Sequence, residues 1–270
     1  MCIAVAQTAG ARMLTFDTFE QCYTRNKDGL GMAWINWAAP HPDKRIKIMR
    51  SSRNSKGDFD LERFYDFYRR THLHWGKHSP FMLHFRYTTH GDTDQYNCHP
   101  FRVKPRLAMM HNGVLPMPPA GKGIKNLFHD NQVLEKYSDT WHYAKLYFPK
   151  FGYLSFHGWL KEATEQFIGT GNKLVFLDAN RYSEAYRKKG FDNLIIYNEE
   201  QGEWHEGTWY SNTAWRPYVA PPKRMCRSFE CKEWVYVSNT DYCWTCRNSG
   251  KVKESTCGTP WQSCSSDLGY

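Results

Sequence analysis

Three prolines within six positions, in Arg216-Pro217-Tyr218-Val219-Ala220-Pro221-Pro222-Lys223, divide this 270-residue chain. Proline fixes φ and withholds a backbone donor, so neither a helix interior nor a central strand runs through this stretch. The chain therefore reads as a body over 1–216, a proline-rich linker over 217–224 and a tail over 225–270. Cysteine usage changes at the same place. Cys2, Cys22 and Cys98 lie in the body, whereas Cys226, Cys231, Cys243, Cys246, Cys257 and Cys264 crowd the last fifty residues.

Within the body, apolar runs of strand length recur at Ile3–Ala6, Gly31–Trp37, Arg45–Arg50, Phe81–Thr88, Leu107–His111, Lys173–Leu177 and Asn193–Tyr197. Helical spacing marks Phe59–Thr71, through Leu61, Phe64, Tyr65 and Tyr68, and helices are expected over Asp139–Phe148, Gly152–Phe167 and Ser183–Gly190. Strands cluster with helices between them instead of alternating strictly. That pattern predicts a layered α+β domain, not a doubly wound sheet.

Composition narrows the classes of function. Hydrophobic residues at 41% and aromatic residues at 16% supply a core that a disordered chain lacks. No uncharged apolar run approaches the roughly eighteen residues of a membrane-spanning helix. Lys and Arg outnumber Asp and Glu by 36 to 27, a formal charge of +9. From Pro221 onward there are seven basic and five acidic residues, which leaves +2 in the tail and +7 spread over the body. Charge distributed in this way is a basic surface; a nucleic-acid partner is disfavoured. Met1-Cys2-Ile3-Ala4-Val5-Ala6 has neither the charged start nor the apolar length of a secretory signal. A cytoplasmic setting with reduced thiols is expected.

Cys2 carries the chemistry. If Met1 is removed, its thiol lies beside a free α-amine whose ordinary pKa of about 7.7–8.0 suits a base near neutrality. Taken alone, Cys2 reads better as a small apolar residue of a buried first strand. Four downstream segments change that balance: Asn26-Lys27-Asp28-Gly29-Leu30-Gly31-Met32-Ala33-Trp34, His84-Phe85-Arg86-Tyr87-Thr88-Thr89-His90-Gly91, Asn97-Cys98-His99-Pro100-Phe101 and Leu107-Ala108-Met109-Met110-His111-Asn112-Gly113-Val114.

In this order behind an N-terminal cysteine, the segments resemble the class II glutamine amidotransferases, whose glutaminase domains are N-terminal-nucleophile hydrolases. The likeness covers roughly the first 145 residues by motif. It implies a four-layer αββα sandwich in which Cys2 attacks the side-chain amide carbon of glutamine. Ammonia and a thioester result, and water then releases glutamate, with no cofactor. It further implies the Asn112 side-chain amide and the Gly113 backbone N–H as oxyanion donors. Arg86 would take the substrate α-carboxylate, Asp139 its α-ammonium, and Thr89 and His90 would shape the pocket. Asn97, His99 and His111 would hold loops by hydrogen bonds. Taken singly, Asn112-Gly113 also reads as a hairpin turn and Asp139 as a helix N-cap. Two departures from the family pattern, Tyr87-Thr88 after the arginine and Trp141-His142 after Asp139-Thr140, remove no reacting group. Glu206-Gly207-Thr208-Trp209-Tyr210-Ser211-Asn212 resembles a late strand of the sandwich and reads as fold, not site.

In the tail, Cys226-x4-Cys231 followed by Cys243-x2-Cys246 has the form of two knuckles of a zinc ribbon. Four thiolates satisfy tetrahedral zinc, and a short segment with few aliphatic residues needs such a staple. Cys257 and Cys264 compete as ligands. The chain lacks G-x-x-x-x-G-K-[ST], and its tail is too short for a synthase domain. Ammonia is therefore expected to pass to a separate acceptor-activating partner. Two other functions fit the same residues: an N-terminal-cysteine amidase acting on another amide, and a catalytically silent binding module with a zinc-ribbon tail.

Overall fold

A computed structural model of the chain describes residues 2–52, 60–89, 91–116, 137–151, 156, 158–180, 193–217, 223–225 and 234–236. The chain divides into two compact units, Met1–Pro217 and Tyr218–Tyr270. In the first unit the order is β1 (Ile3–Gln7), α1 (Phe16–Thr24), β2 (Gly29–Ile35), β3 (Ile46–Ser52), α2 (Leu61–Trp75), β4 (Phe81–Arg86), β5 (Phe101–Lys104) and β6 (Leu107–Asn112). It continues with α3 (Asp139–His142), α4 (Phe148–Phe151), α5 (Gly158–Ile168), β7 (Lys173–Asp178), β8 (Leu194–Tyr197), β9 (Glu203–His205) and β10 (Thr208–Tyr210).

The strands form two antiparallel sheets, one six-stranded in the order β3-β2-β4-β1-β10-β9 and one four-stranded in the order β5-β6-β7-β8. The fold is thus α+β with antiparallel sheets. Period-two alternation sorts β1 between two cores. Ile3 and Val5 meet Phe19, Phe64 and Tyr68 of the α1–α2 layer, whereas Ala4 and Ala6 face Ala108, Met110, Val175 and Leu177 of the other sheet. The far face of that second sheet buries Phe101, Met109, Leu174 and Phe176 against Tyr143, Phe148, Phe156 and Ile168. Apolar contact therefore runs from helices to sheet, from sheet to sheet, and from sheet to helices.

Local chemistry sets the helix starts. Thr15 Oγ1 accepts from Thr18 N (3.2 Å) at α1, and Asp60 Oδ1 accepts from Arg63 N (2.7 Å) at α2. Phe64, Tyr68 and His72 recur every fourth residue and make the buried face of α2. Tyr68 then ties α2 to the end of β1, donating to Gln7 Oε1 (2.8 Å) and accepting from Leu14 N (3.0 Å).

Several elements differ from the periodicity. Helix α1, which the apolar spacing did not predict, buries only Phe19 and Cys22, too few to make a stripe. The helix expected from Phe59 runs over Leu61–Trp75, and the one expected from Gly152 over Gly158–Ile168. The single helix expected over Asp139–Phe148 is α3 and α4 joined by a π turn at Tyr143–Tyr147. Pro149 offers no amide to the Lys145 carbonyl, and the wide turn lies directly before it. The expected helix Ser183–Gly190 lies outside the described residues. In the second unit, β11 (Lys223–Met225) pairs antiparallel with β12 (Trp234–Tyr236). The six tail cysteines lie outside the described residues.

One close approach brings a loop onto the first sheet. A Cβ at Gly31 would collide with the His99 carbonyl, so only glycine lets the His99 backbone lie on β2. Gly31→Ala should lower stability by about 1–3 kcal/mol through this overpacking. Urea denaturation measures it, and an unchanged midpoint would contradict the contact.

Candidate functional site

Cys2 precedes the central strand of the larger sheet. Ile3 pairs with Phe85, and the next step of the ladder brings the thiol to the end of β4. Cys2 Sγ lies 3.2 Å from the Tyr87 carbonyl oxygen and accepts from Tyr87 N–H at 3.3 Å. Burial pushes the thiol above its ordinary pKa, while the Tyr87 hydrogen bond and the positive charge of Arg86 act in the opposite direction. The Cys2 carbonyl is held by Asn212 Nδ2 at 2.7 Å.

Asn112 closes β6 in the second sheet and is 1% exposed. Its Nδ2 donates to Ser211 Oγ (2.8 Å), which also accepts from Ala4 N (2.9 Å). The amide of Asn112 is therefore two hydrogen bonds from the strand that carries Cys2. Its Oδ1 is buried with no hydrogen-bond partner among the described residues. Gly113 has φ +138°, and a Cβ there would strike Asn172 Oδ1 and the Gly171 carbonyl. This pair is no hairpin turn, since β6 pairs with β5 and with β7, which begins at Lys173.

Three buried imidazoles hold the peptide just before Asn112. His84 Nε2 and His99 Nδ1 each lie 3.1 Å from the His111 carbonyl oxygen, with the two rings 4.1 Å apart. The His111 ring spans Thr140 Oγ1 (2.8 Å, from Nδ1) and Asn172 Oδ1 (2.9 Å, from Nε2). Because Asn172 Nδ2 donates to Ile168 O (2.6 Å), its Oδ1 faces the ring, so Nε2 carries the proton. Burial holds all three histidines below their ordinary pKa, His84 at about 3.

The remaining predicted residues divide. Arg86 is 4% exposed at the end of β4; its Nη1 donates to the Asp92 carbonyl (2.8 Å), and its charge bears on both Cys2 and Cys98. Asp139 is the first residue of α3, whose N-cap is Ser138. Its Oδ2 accepts from Leu115 N and its Oδ1 from Thr140 N, each at 2.7 Å, which ties the chain beyond Gly113 to the helix. Asn97 Oδ1 accepts from Ser138 N (2.8 Å) and braces the same helix start. Thr89 is exposed. His90 lies outside the described residues.

A cavity of about 260 Å³ lies beyond the other end of β1, lined by Thr8, Trp37, His78, Glu199 and Trp204. It is separate from the Cys2 end of the strand. No group of three or more His, Cys, Asp or Glu side chains among the described residues could hold a metal. No described helix is long and apolar enough to cross a membrane. The chain matches no protein-family model and no curated protein. Sequence reasoning placed His84 inside a strand motif and Ser211 in the fold; only their distant partners, His111 and Asn112, bring them to this site.

The histidines give stability a defined pH dependence. Below about pH 6.5 the unfolded chain binds protons that folded His84 excludes, so stability is intact above that pH and falls on acidification toward pH 3. His84 alone should cost about 2 kcal/mol between pH 7 and pH 5. Denaturant titrations at both pH values should show that loss in the wild type and a smaller one in His84→Gln; equal slopes would refute it.

Proposed function

We propose that the first unit is a glutaminase domain of the class II glutamine amidotransferase type, an αββα N-terminal-nucleophile sandwich. The observation that carries this reading is the meeting of Cys2 with the strand end that bears Arg86-Tyr87, with Asn112 tied through Ser211 to the strand that Cys2 precedes. The helix–sheet–sheet–helix packing is compatible with such a sandwich, and the motifs behind Cys2 occur in the family's order.

On this reading, loss of Met1 frees the Cys2 α-amine, which takes the thiol proton as Sγ attacks the side-chain amide carbon of glutamine. The carbonyl π electrons move onto oxygen, and Asn112 Nδ2 and Gly113 N–H stabilise the resulting oxyanion. Collapse breaks the C–N bond; the amine returns its proton to the leaving nitrogen, and ammonia departs. Water, deprotonated by the same amine, then cleaves the thioester to glutamate and regenerates the thiol. Arg86 binds the substrate α-carboxylate as a planar fork, Asp139 its α-ammonium, and Thr89 and His90 line the pocket. To do so, Arg86 and Asp139 must share or exchange the contacts they make with Asp92, Leu115 and Thr140. The reaction needs no cofactor and suits a reducing, cytoplasmic setting. Ammonia passes to a separate partner that activates the acceptor.

Glutamate release tests the reading. The active protein should lack Met1 by intact mass and hydrolyse glutamine faster than asparagine or simple acyl amides, and Cys2→Ala should abolish release. Full activity with Met1 uniformly retained would overturn the mechanism, and preference for another amide would reassign the substrate. For the tail we propose one structural zinc held by four thiolates drawn from Cys226, Cys231, Cys243 and Cys246, with Cys257 and Cys264 as competing ligands. Elemental analysis should find one zinc per chain and markedly less in Cys243→Ser; a zinc-free wild type purified without chelator would refute it.

A further inference from the structure

The segment after β10 touches both halves of the proposed reaction centre. Ser211 is 1% exposed, and its Oγ accepts from Ala4 N at 2.9 Å and from Asn112 Nδ2 at 2.8 Å. Both lone pairs of the hydroxyl are thereby taken. Ser211 N also donates to the Ala4 carbonyl (2.9 Å), so the hydroxyl is fixed to β1 by two bonds from one residue. Asn212 continues the clamp: its Nδ2 holds the Cys2 carbonyl (2.7 Å), and its Oδ1 accepts from Ala214 N (2.9 Å), which sets its orientation. One oxygen thus joins the six-stranded sheet, through Ala4, to the four-stranded sheet, through Asn112.

We propose that Ser211 is a positioning residue that fixes the Asn112 carboxamide in register with the nucleophile strand. The inference rests on the reading of Asn112 as an oxyanion donor. An asparagine amide turns freely about its terminal torsion unless hydrogen bonds hold it. At Asn112 the oxygen is buried and has no partner among the described residues, so the bond from Nδ2 to Ser211 sets that torsion. Donors stabilise a developing charge only when already aimed at it. Removing Ser211 leaves Asn112 in place but unaimed.

A merely structural link between the sheets predicts a different result from a positioning role, and a double-mutant cycle separates them. Glutaminase kinetics would be measured for wild type, Ser211→Ala, Asn112→Ala and the pair. Ser211→Ala should lower kcat by about tenfold to a hundredfold with KM little changed, less than loss of the donor itself. The double variant should be no slower than Asn112→Ala. Losses that multiply would overturn the proposal. Ser211→Thr, which keeps the acceptor oxygen, should recover most of the turnover; if Ser211→Ala fails to fold, Ser211→Cys replaces it in the cycle as a weak acceptor.

An activity-free arm keeps this inference distinct from the glutaminase reading. In ¹⁵N spectra of the full chain, Ser211→Ala should move the Asn112 side-chain resonance and speed its amide hydrogen exchange. An unmoved resonance would overturn the proposal even in an active enzyme. A wild type inert toward glutamine would instead sink the glutaminase reading, leaving the spectra to decide whether Ser211 sets Asn112.

Discussion

Face-to-face packing of the two antiparallel sheets governs the rest of the first unit. The interface is apolar and includes three small residues on one side: Ala4, Ala6 and Ala33 face Met110, Val175, Leu177 and Ile196 of the other sheet. Trp209, fully buried, belongs to the same layer, where its indole N–H reaches the Glu199 carbonyl (3.0 Å). Strands β1, β4 and β6 are buried along their whole length. Their backbone groups are satisfied by neighbouring strands, and polar side chains collect where those strands end. That is where Cys2, Arg86 and Asn112 lie.

The same packing decides the protonation state of the site. Among the described residues no carboxylate bonds directly to the rings of His84, His99 or His111, so desolvation keeps them neutral. Neutral rings can each donate from one nitrogen and accept at the other. That asymmetry lets His111 bridge Thr140 of α3 and Asn172 ahead of β7, while its carbonyl is approached by His84 and His99. Four separate stretches of chain therefore converge on the peptide that precedes Asn112.

Most of the apolar strands were legible in the sequence because they have several buried residues in a row, although β3 buries Ile46 alone. Strand β5 was not, since Phe101 alone is buried among its four residues. Strand β10 was read through its resemblance to a late strand and not through periodicity, since three residues are too short for any period to register. The candidate site was legible residue by residue through Cys2, Arg86, Asn112 and Gly113. Its bracing was not, because Ser211 meets residues 207 and 99 positions away and no local pattern encodes such a meeting. Asn112-Gly113 shows the opposite error: its local pattern reads as a hairpin turn, and only the register of β6 against β7 removes that reading.

Strand β1 lies between β4 and β10, and Val5 pairs with Tyr210. Strand β1 is thus a central strand whose second neighbour is synthesised some two hundred residues later. At about 5–20 residues per second, that interval is roughly 10–40 s. Until it passes, one edge of β1 has no ladder and the Cys2 carbonyl has no Asn212 to hold it. A nascent chain can form its local helices early, but the thiol, the arginine and the asparagine take up their mutual positions only when the sheet closes. The order of synthesis therefore acts as a timer, deferring the contacts around Cys2 until the whole unit has emerged.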